Sequence, residues 1–546
     1  MSKVAHYLQE HLIGEVMTSS DARRYFATDT SILTLTPAIV AYPHNENDVR
    51  KTARFTWQLA ERGRVIPMTA RGSGTDQAGG AIGSGIVVVF PAHMNKILEL
   101  DPKTGSVAVQ PGLNYGKLQQ TLQTHGRFLP PFPASVEYST IGGAMGNNAS
   151  GEKSVKYGST RNFVRSLRVV LANGEVIETR RLNKRELGKK MGLSSMEGEI
   201  YRSLDKLLEE NKEIVKKTKL EVTKNSAGYA LSDIKQKDGS LDLTPLFIGA
   251  QGTLGIITEA IIDTEPYNPA VTLVVASFDD IDRAAKAVLD LRKLPDAPSA
   301  LEMVDSNLLN FIDTHNPNQL KGTLEKPFHK ITLLIEFDNF NARAQKRMAK
   351  KTKKIVEEYG GSCQIETDPE QQDHLWRIRH SSASVTAFSD NNNAKSLPVI
   401  EDGVVPVVKL VEFLSGAYAI FDKYGLQVAV WGHAGDANLH MQPFLDLSQL
   451  GDRQKLFRVM EDYHQLVMSL GGSTNGEHGD GRLRAPYLRQ LYGEDVYELF
   501  RAVKKIFDPY GTLNPGVKVD VSIDDLKPML RQEYSMKHLY DHMPRT

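Results

Sequence analysis

Two glycine-rich stretches, RGSGTDQAGG at 71–80 and STIGGAMGNNASGEKSVKYGSTRN at 139–162, constrain the fold of this chain more than any other feature. The second is rich in Gly, Asn and Ser and offers little to bury, so it is either a loose loop or a wrap around something polar. The first follows directly on the strand-like run RVIPMTA (64–70), where glycines let backbone N–H groups approach a phosphate because no Cβ stands in the way. It matches neither common phosphate loop. Gln77 stands where a GxGxxG fingerprint needs its third glycine, and no GxxxxGK[ST] occurs in the chain. Taken alone, the first stretch reads equally well as a structural turn. Two such stretches on either side of the amphipathic helix expected over 115–126 point to one extended ligand.

The remaining pattern supplies a frame for these loops. GIVVVF (85–90), KILELD (96–101) and SVAVQPG (106–112) are strand-like, and RSLRVVLANGEVIETR (165–180) carries Asn173-Gly174 between two β-branched runs, a hairpin signal. LFIGAQGTLGIITEAIID (246–263) reads as strand, tight turn, strand, and a charged helix is expected near 196–217. After a break at TEPYNP, strands TLVVASF, ITLLIEFD and QVAVWGHA alternate with helices over 280–294, 342–359 and 453–470, which suggests an α+β sheet domain. The Lys-rich helix 342–359 reads as a solvated face, and ELFRAVKKIFDPYGTLNPG (498–516) as an amphipathic helix stopped by Pro509 and Gly511. At 546 residues, two or three domains are expected. Lys plus Arg (66) balances Asp plus Glu (66), which argues against a nucleic-acid binder. A single cysteine, Cys363, excludes a disulfide framework and an iron–sulfur cluster held by this chain alone. With no signal-like or membrane-spanning apolar run, a cytoplasmic protein is expected, with peripheral membrane association as an alternative.

WGHAGDANLH (431–440) sets two histidines seven residues apart around a Gly-Asp-Ala-Asn centre. LQVAVW before it and LHMQPF after it make a hairpin, whose turn centres most naturally on Asp436 and Ala437. His433 would then face His440 directly, with Cβ atoms about 4.5–5.5 Å apart. Two imidazoles at that distance can share a cation. The alternative is a polar hairpin with two unrelated histidines.

The order PMTARGSGTDQAGG, LPPFPASVEYSTIGGAMGNNASGEKSVKYGSTRN, RSLRVVLANGEVI, GAQGTLGIIT resembles the FAD-binding half of the vanillyl-alcohol-oxidase superfamily. WRIR at 376–379, GHAGDANLH, NGEHGDG (475–481) and FDPYGTLNPG narrow the resemblance to FAD-linked D-2-hydroxyacid dehydrogenases, the branch of D-lactate and D-2-hydroxyglutarate dehydrogenases and the glycolate oxidase flavin subunit. It spans about residues 20 to 518. The fold implied is α+β: a two-subdomain FAD-binding domain (1–265), an antiparallel-sheet, ferredoxin-like substrate and metal domain (266–490), a segment returning to the FAD domain (491–520) and a tail (521–546).

Position by position, the resemblance places Arg71, Gly72, Ser73, Gly74, Thr75, Asp76, Gly79 and Gly80 around the FAD pyrophosphate. It places Pro133, Ser135, Thr140, Gly142, Gly143, Asn147, Ser150 and Gly158 along the flavin and ribityl chain, Ile257 on the adenine side and Asn514 at the flavin edge. Gln251 departs from the family's usual Glu, and FPASVE lacks its frequent Asp-Pro. No histidine or cysteine stands where covalent members attach flavin, so FAD is expected to be non-covalent. The resemblance also puts His433, His440 and Glu477 on one divalent cation, zinc with manganese or iron as alternatives, and leaves coordination positions open for substrate. His478 would take the hydroxyl proton, and Arg379 and Lys395 would bind the substrate carboxylate. Ala383 stands near a position where some relatives have a hydroxyl residue touching substrate. The activity implied is oxidation of a D-2-hydroxy acid by metal-assisted deprotonation and hydride transfer to FAD. Electrons would pass to an acceptor other than NAD, such as an iron–sulfur subunit, an electron-transfer flavoprotein, a cytochrome or a quinone. Two other readings compete: a flavin-binding electron-transfer subunit without its own chemistry, and a metallohydrolase built on His433, His440 and Glu477. The tail reads either as a terminal helix packed on its own domain or as a docking helix for an iron–sulfur partner.

Overall fold

The computed structural model describes residues 2–315, 318, 320, 324, 326–380, 393–536, 538 and 539; Ala383 lies outside them. Three sheets organise the chain. The first is built from β1 (Val16–Met17), β2 (Ile39–Ala41), β3 (Met68–Arg71) and β4 (Ile86–Val89) in the order β1-β2-β4-β3, with β4 parallel to both β2 and β3. IVA and IVVV are buried along their whole length, as parallel strands covered on both faces must be. Because β3 ends at Arg71, the glycine-rich loop leaves from a strand end.

Next come β5 (Ile97–Asp101), β6 (Ser106–Val109), the short β7 (Arg127–Phe128), β8 (Val164–Val170), β9 (Val176–Thr179), β10 (Ile256–Asp263) and the short β11 (Glu265–Pro266). Five of them form an antiparallel sheet ordered β5-β6-β10-β8-β9, and β7 pairs with β11. The Asn173-Gly174 hairpin joins β8 to β9, with Gly174 at φ +84°. The helix Glu494–Phe507 packs Phe500, Val503 and Phe507 into this sheet's core.

The third sheet is antiparallel and eight-stranded. Its members are β12 (Thr272–Phe278), β13 (Ala300–Asp305), β14 (Ile331–Phe337), β15 (Ser362–Glu366), β16 (Lys395–Ser396), β17 (Gly403–Val404), β18 (Val428–His433) and β19 (Asn438–Leu445). Period-2 alternation sorts its side chains. Val274, Met303, Val430 and Leu439 meet the helices Ile281–Leu291, Ala342–Glu358 and Leu410–Tyr424 on one face. Glu302, Trp431, His433 and His440 lie in the other register and line the cavity wall or stand behind it. Along Ala342–Glu358, Met348, Ala349 and Val356 point inward, so the lysines take the solvent side.

Two sequence expectations change. Residues 246–247 belong to a short helix, Thr244–Phe247, with Pro245 in its first turn, not to a strand. A four-residue apolar run has no periodicity that separates the two states, and Pro245 favours a helix start. The charged helix near 196–217 divides at Asn211 into Met196–Glu210 and Lys212–Lys216. As for the tail, its described residues run along the chain's own 29–34 segment. Tyr534 Oη donates to Thr30 O (2.7 Å), Arg531 Nη1 donates to Ser31 O (3.0 Å), and Leu530 bridges Leu33. No helix among the described residues is long and apolar enough to cross a membrane.

Candidate active site

A cavity of about 1,010 Å³ opens where the loops of the first two sheets meet the site face of the third. This volume is at the top of the ~300–1,000 Å³ range of small-molecule sites, room for a dinucleotide. Both glycine-rich stretches line it. A Cβ on Gly143 would meet only Thr140 Oγ1, at 3.2 Å, and one on Gly146 only Gln251 Cα, at 3.9 Å, so these positions hold open space that side chains would fill. Ser139 Oγ, also on the wall, is buried without a hydrogen-bond partner. A polar ligand running along this wall satisfies both observations.

Of the residues expected to hold the cofactor, all line the cavity except Gly79, Gly158 and Asn514. Gly79 (φ +77°) turns behind the loop against Leu33, and Gly158 (φ +80°) packs on Asn162. Asn514 is a brace: its Nδ2 donates to Gly80 O and Gln251 O, both at 2.8 Å, and its Oδ1 accepts from Thr69 Oγ1. Arg71 likewise spends its guanidinium on the loop, donating to Thr28 O and Ala81 O. The Asp76 carboxylate is no obstacle to an anionic ligand, because one oxygen accepts from Ala78 and Gly80 N–H and the other from Asn147 and Gln251 amides.

Gln251 explains its own departure from the family pattern. Its Nε2 donates to Asp76 Oδ2 (3.2 Å) and Asn147 Oδ1 (3.1 Å) while its Oε1 accepts from Gly481 N–H (2.8 Å). A carboxylate here would face Asp76 with no proton to give. Gln251→Glu is therefore expected to destabilise the FAD-loaded protein by about 1–3 kcal/mol, seen as a lower unfolding temperature. An unchanged transition would show that the amide is incidental.

The histidine hairpin differs in register from the sequence expectation. His433 pairs with Asn438, and His440 pairs with Trp431, because the connection is a 3₁₀ turn, Ala434–Asp436, followed by Ala437 at φ +51°. The pair is diagonal instead of directly opposed. The shift is by two residues, so both rings stay on one face, and their centroids lie 5.2 Å apart with Nε2 atoms 3.4 Å apart. The turn is held from outside: Ser154 Oγ donates to the Asp436 carboxylate (2.5 Å), and Thr223 Oγ1 to the Asp436 carbonyl (3.1 Å).

Three imidazoles converge on one oxygen. Glu477 Oε1 lies 2.8 Å from His433 Nε2, 3.4 Å from His440 Nε2 and 3.7 Å from His478 Nε2. Their Nδ1 atoms face carboxylates behind: His433 Nδ1 lies 2.8 Å from Glu302 Oε1, and His440 and His478 Nδ1 lie 3.4 and 2.6 Å from Glu401 Oε2. Where Glu302 meets His433 Nδ1 in a hydrogen bond, it turns Nε2 of that ring forward. Asp402 also lies within ligand distance of His440, Glu477 and His478, but its Oδ2 accepts from the N–H groups of Glu477 (3.0 Å) and His478 (2.7 Å), which makes it the clamp of the NGEHGDG turn. The buried carboxylates Glu302, Glu401, Asp402, Asp436 and Glu477 face Arg379, Arg484 and Lys224, leaving negative charge in excess when the imidazoles are neutral. A divalent cation fits this donor set.

Electrostatics follow the same plan. Burial would raise the Glu302 carboxyl, but His433 and Arg379 together pull it down to about 2. Burial opposes the charged form of His478, yet the Glu401 and Asp402 carboxylates raise it to about 9. His478 keeps 23% side-chain exposure while Glu477 keeps 5%, so it is the more open of the two to a ligand or solvent. Arg379 also reaches the cavity, with its Nε donating to Glu302 Oε2 at 2.8 Å. Lys395 is placed elsewhere. It sits on the edge strand β16, donates to Tyr534 O at 2.7 Å and lies off the cavity wall. Sequence reasoning missed Glu302, Glu401, Asp402, Lys224 and Arg484. A signal existed for the first three, since LEMV and VIEDGVV set carboxylates inside apolar runs; Lys224 and Arg484 carried none.

The chain is similar to known proteins along most of its length. Residues 37–180 match the FAD binding domain model and residues 268–517 the C-terminal domain of FAD linked oxidases. The glycolate oxidase subunit GlcD of Bacillus subtilis is 30% identical over 482 residues, 88% of each chain. The D-2-hydroxyglutarate dehydrogenase of Pantoea ananatis is 29% identical over 97% of this chain, which spans about half (52%) of that protein's length. Among solved structures, p-cresol methylhydroxylase with substrate bound superposes with a TM-score of 0.69 at 16% identity, covering 96% of this chain and 97% of its own, a likeness of fold.

Proposed function

Because the chain belongs to the family of FAD-linked oxidases, we propose that it oxidises a D-2-hydroxy acid of the glycolate, D-lactate or D-2-hydroxyglutarate type to the 2-oxo acid. The observation that carries this reading is the convergence of three imidazole Nε2 atoms on Glu477, beside Arg379, in the same cavity that the glycine-rich loops line. His433, His440 and Glu477 would hold a divalent cation, zinc with manganese or iron as alternatives. When bound, FAD supplies the hydride acceptor and the cation supplies Lewis-acid polarisation of the substrate hydroxyl.

The chain's residues do the rest. Arg379 suits the substrate carboxylate, because its planar fork grips two oxygens while Glu302 holds Nε. Glu302 thereby ties that arginine to His433, so carboxylate grip and cation ligand are set by one buried group. His478 is the base for the hydroxyl proton. Its ring is held by stacking on His440 (centroids 4.7 Å, planes 9° apart) and by Glu401 at Nδ1, which leaves Nε2 facing the ligands. The electron acceptor is a class other than NAD, in keeping with the incomplete dinucleotide fingerprint at 72–77.

The FAD is non-covalent in this reading. Acid precipitation is expected to release all the yellow colour into the supernatant, and flavin remaining in the pellet would overturn the point. The test of the function is anaerobic flavin bleaching with a panel of D- and L-2-hydroxy acids, with and without chelator. A D-acid is expected to bleach the flavin and the chelator to prevent it. Failure of every acid would favour a flavin subunit without its own substrate chemistry.

A further inference from the structure

Lys224 lies in the loop LEVTKNSAGYAL, far in sequence from every motif of the site, yet it is buried at 6% exposure and its ammonium ends at the metal-ligand carboxylate. Its Nζ donates to Glu477 Oε2 (2.8 Å), Ser150 Oγ (2.8 Å) and Ser154 Oγ (3.3 Å), and Asp436 Oδ2 lies 4.0 Å away. Ser150 Oγ donates to the same Glu477 oxygen. The two carboxylate oxygens therefore have separate employment. Oε2 is taken by an ammonium and a hydroxyl, and Oε1 is left to the three imidazole Nε2 atoms.

We infer that Lys224 is the positioning residue that makes Glu477 a one-oxygen ligand and locks it to the cofactor-binding loop. The inference rests on the reading of His433, His440 and Glu477 as a cation site. A freely rotating carboxylate would present either oxygen, or both, to a cation among the imidazoles. Lys224 removes that freedom. It also meets Oε2 as a counter-charge, so Oε1 is the oxygen left to face the cation. Ser150 and Ser154 flank the short loop that lines the cavity, and Asp436 forms the turn between His433 and His440. One ammonium thus ties together the cofactor loop, the histidine hairpin and the NGEHGDG turn.

The experiment measures zinc affinity by competition with a chromophoric chelator on the FAD-loaded protein. Partners of this kind behind a ligand typically contribute about 10–100-fold in metal affinity. Lys224→Met is expected to weaken zinc binding by that factor while FAD content, read from flavin absorbance, stays at one per chain. In a Glu477→Gln background the same substitution is expected to cause no further loss, because it acts through that carboxylate; equal losses in both backgrounds would show a merely structural lysine. Should Lys224→Met not fold, Ser150→Ala, which removes the second donor to Oε2, carries the same measurement. Wild-type zinc affinity in the folded variants overturns the role of Lys224 alone. A wild-type protein that takes up no divalent metal overturns the cation site and this inference with it.

Discussion

His433→Ala, His440→Ala and Glu477→Ala each abolish turnover and strip bound metal, while FAD stays in place. Two of the three proposed ligands sit on β18 and β19 and the third in the turn after the helix Leu450–Ser469, whereas the cavity wall proposed for the cofactor is built from 71–80 and 139–147. Losing the Lewis acid removes several kcal/mol of transition-state stabilisation, so turnover falls by at least about 10³-fold. The three variants differ in stability. Glu477→Ala strands the buried Lys224 ammonium, and breaking a buried pair costs about 3–5 kcal/mol, so it also lowers the unfolding temperature. His440→Ala strands no permanent charge and is the gentlest. Elemental analysis and flavin absorbance on the same samples decide the matter. Unchanged metal in all three variants would reduce the hairpin to a structural element.

His478→Asn keeps FAD and metal but slows flavin reduction by about 10²–10⁴-fold, the usual contribution of a positioned base. Asparagine preserves size and polarity and cannot accept a proton at neutral pH. The loss falls on the reductive half-reaction, followed by stopped-flow absorbance of oxidised flavin, and spares reoxidation by an artificial acceptor. Glu401 and Asp402 hold the His478 pKa up, to about 9 with no cation nearby, and a bound cation favours the neutral ring and brings it down. The base form is lost as pH falls through that pKa. The wild-type rate therefore rises with pH up to no higher than about 9, and the variant's rate is flat. A variant as fast as wild type across pH 6 to 9 would make His478 a neighbour of Glu477 and nothing more.

The elements of this fold follow from local pattern wherever burial has a period. The parallel strands read as unbroken apolar runs, the Asn173-Gly174 hairpin as a turn with φ above zero, and the third sheet as alternating strands with helices on one face. The same alternation determines that His433 and His440 share a face, because a shift of two residues in pairing preserves parity. The register itself is not local. It is set by the turn at Ala434–Asp436, and that turn is anchored by Ser154 and Thr223, residues 282 and 213 positions away from Asp436. Glu302 behind His433 and Lys224 behind Glu477 come from 131 and 253 positions away. A buried charge is tolerable only where an opposite charge meets it, and which charges meet is a property of how three sheets pack together. The sequence by itself therefore determined, through periodicity, that His433 and His440 share a face, and, through resemblance, the residues proposed as ligands. Only the tertiary structure decided which carboxylates and cations orient them, because those partners share no element with the residues they hold.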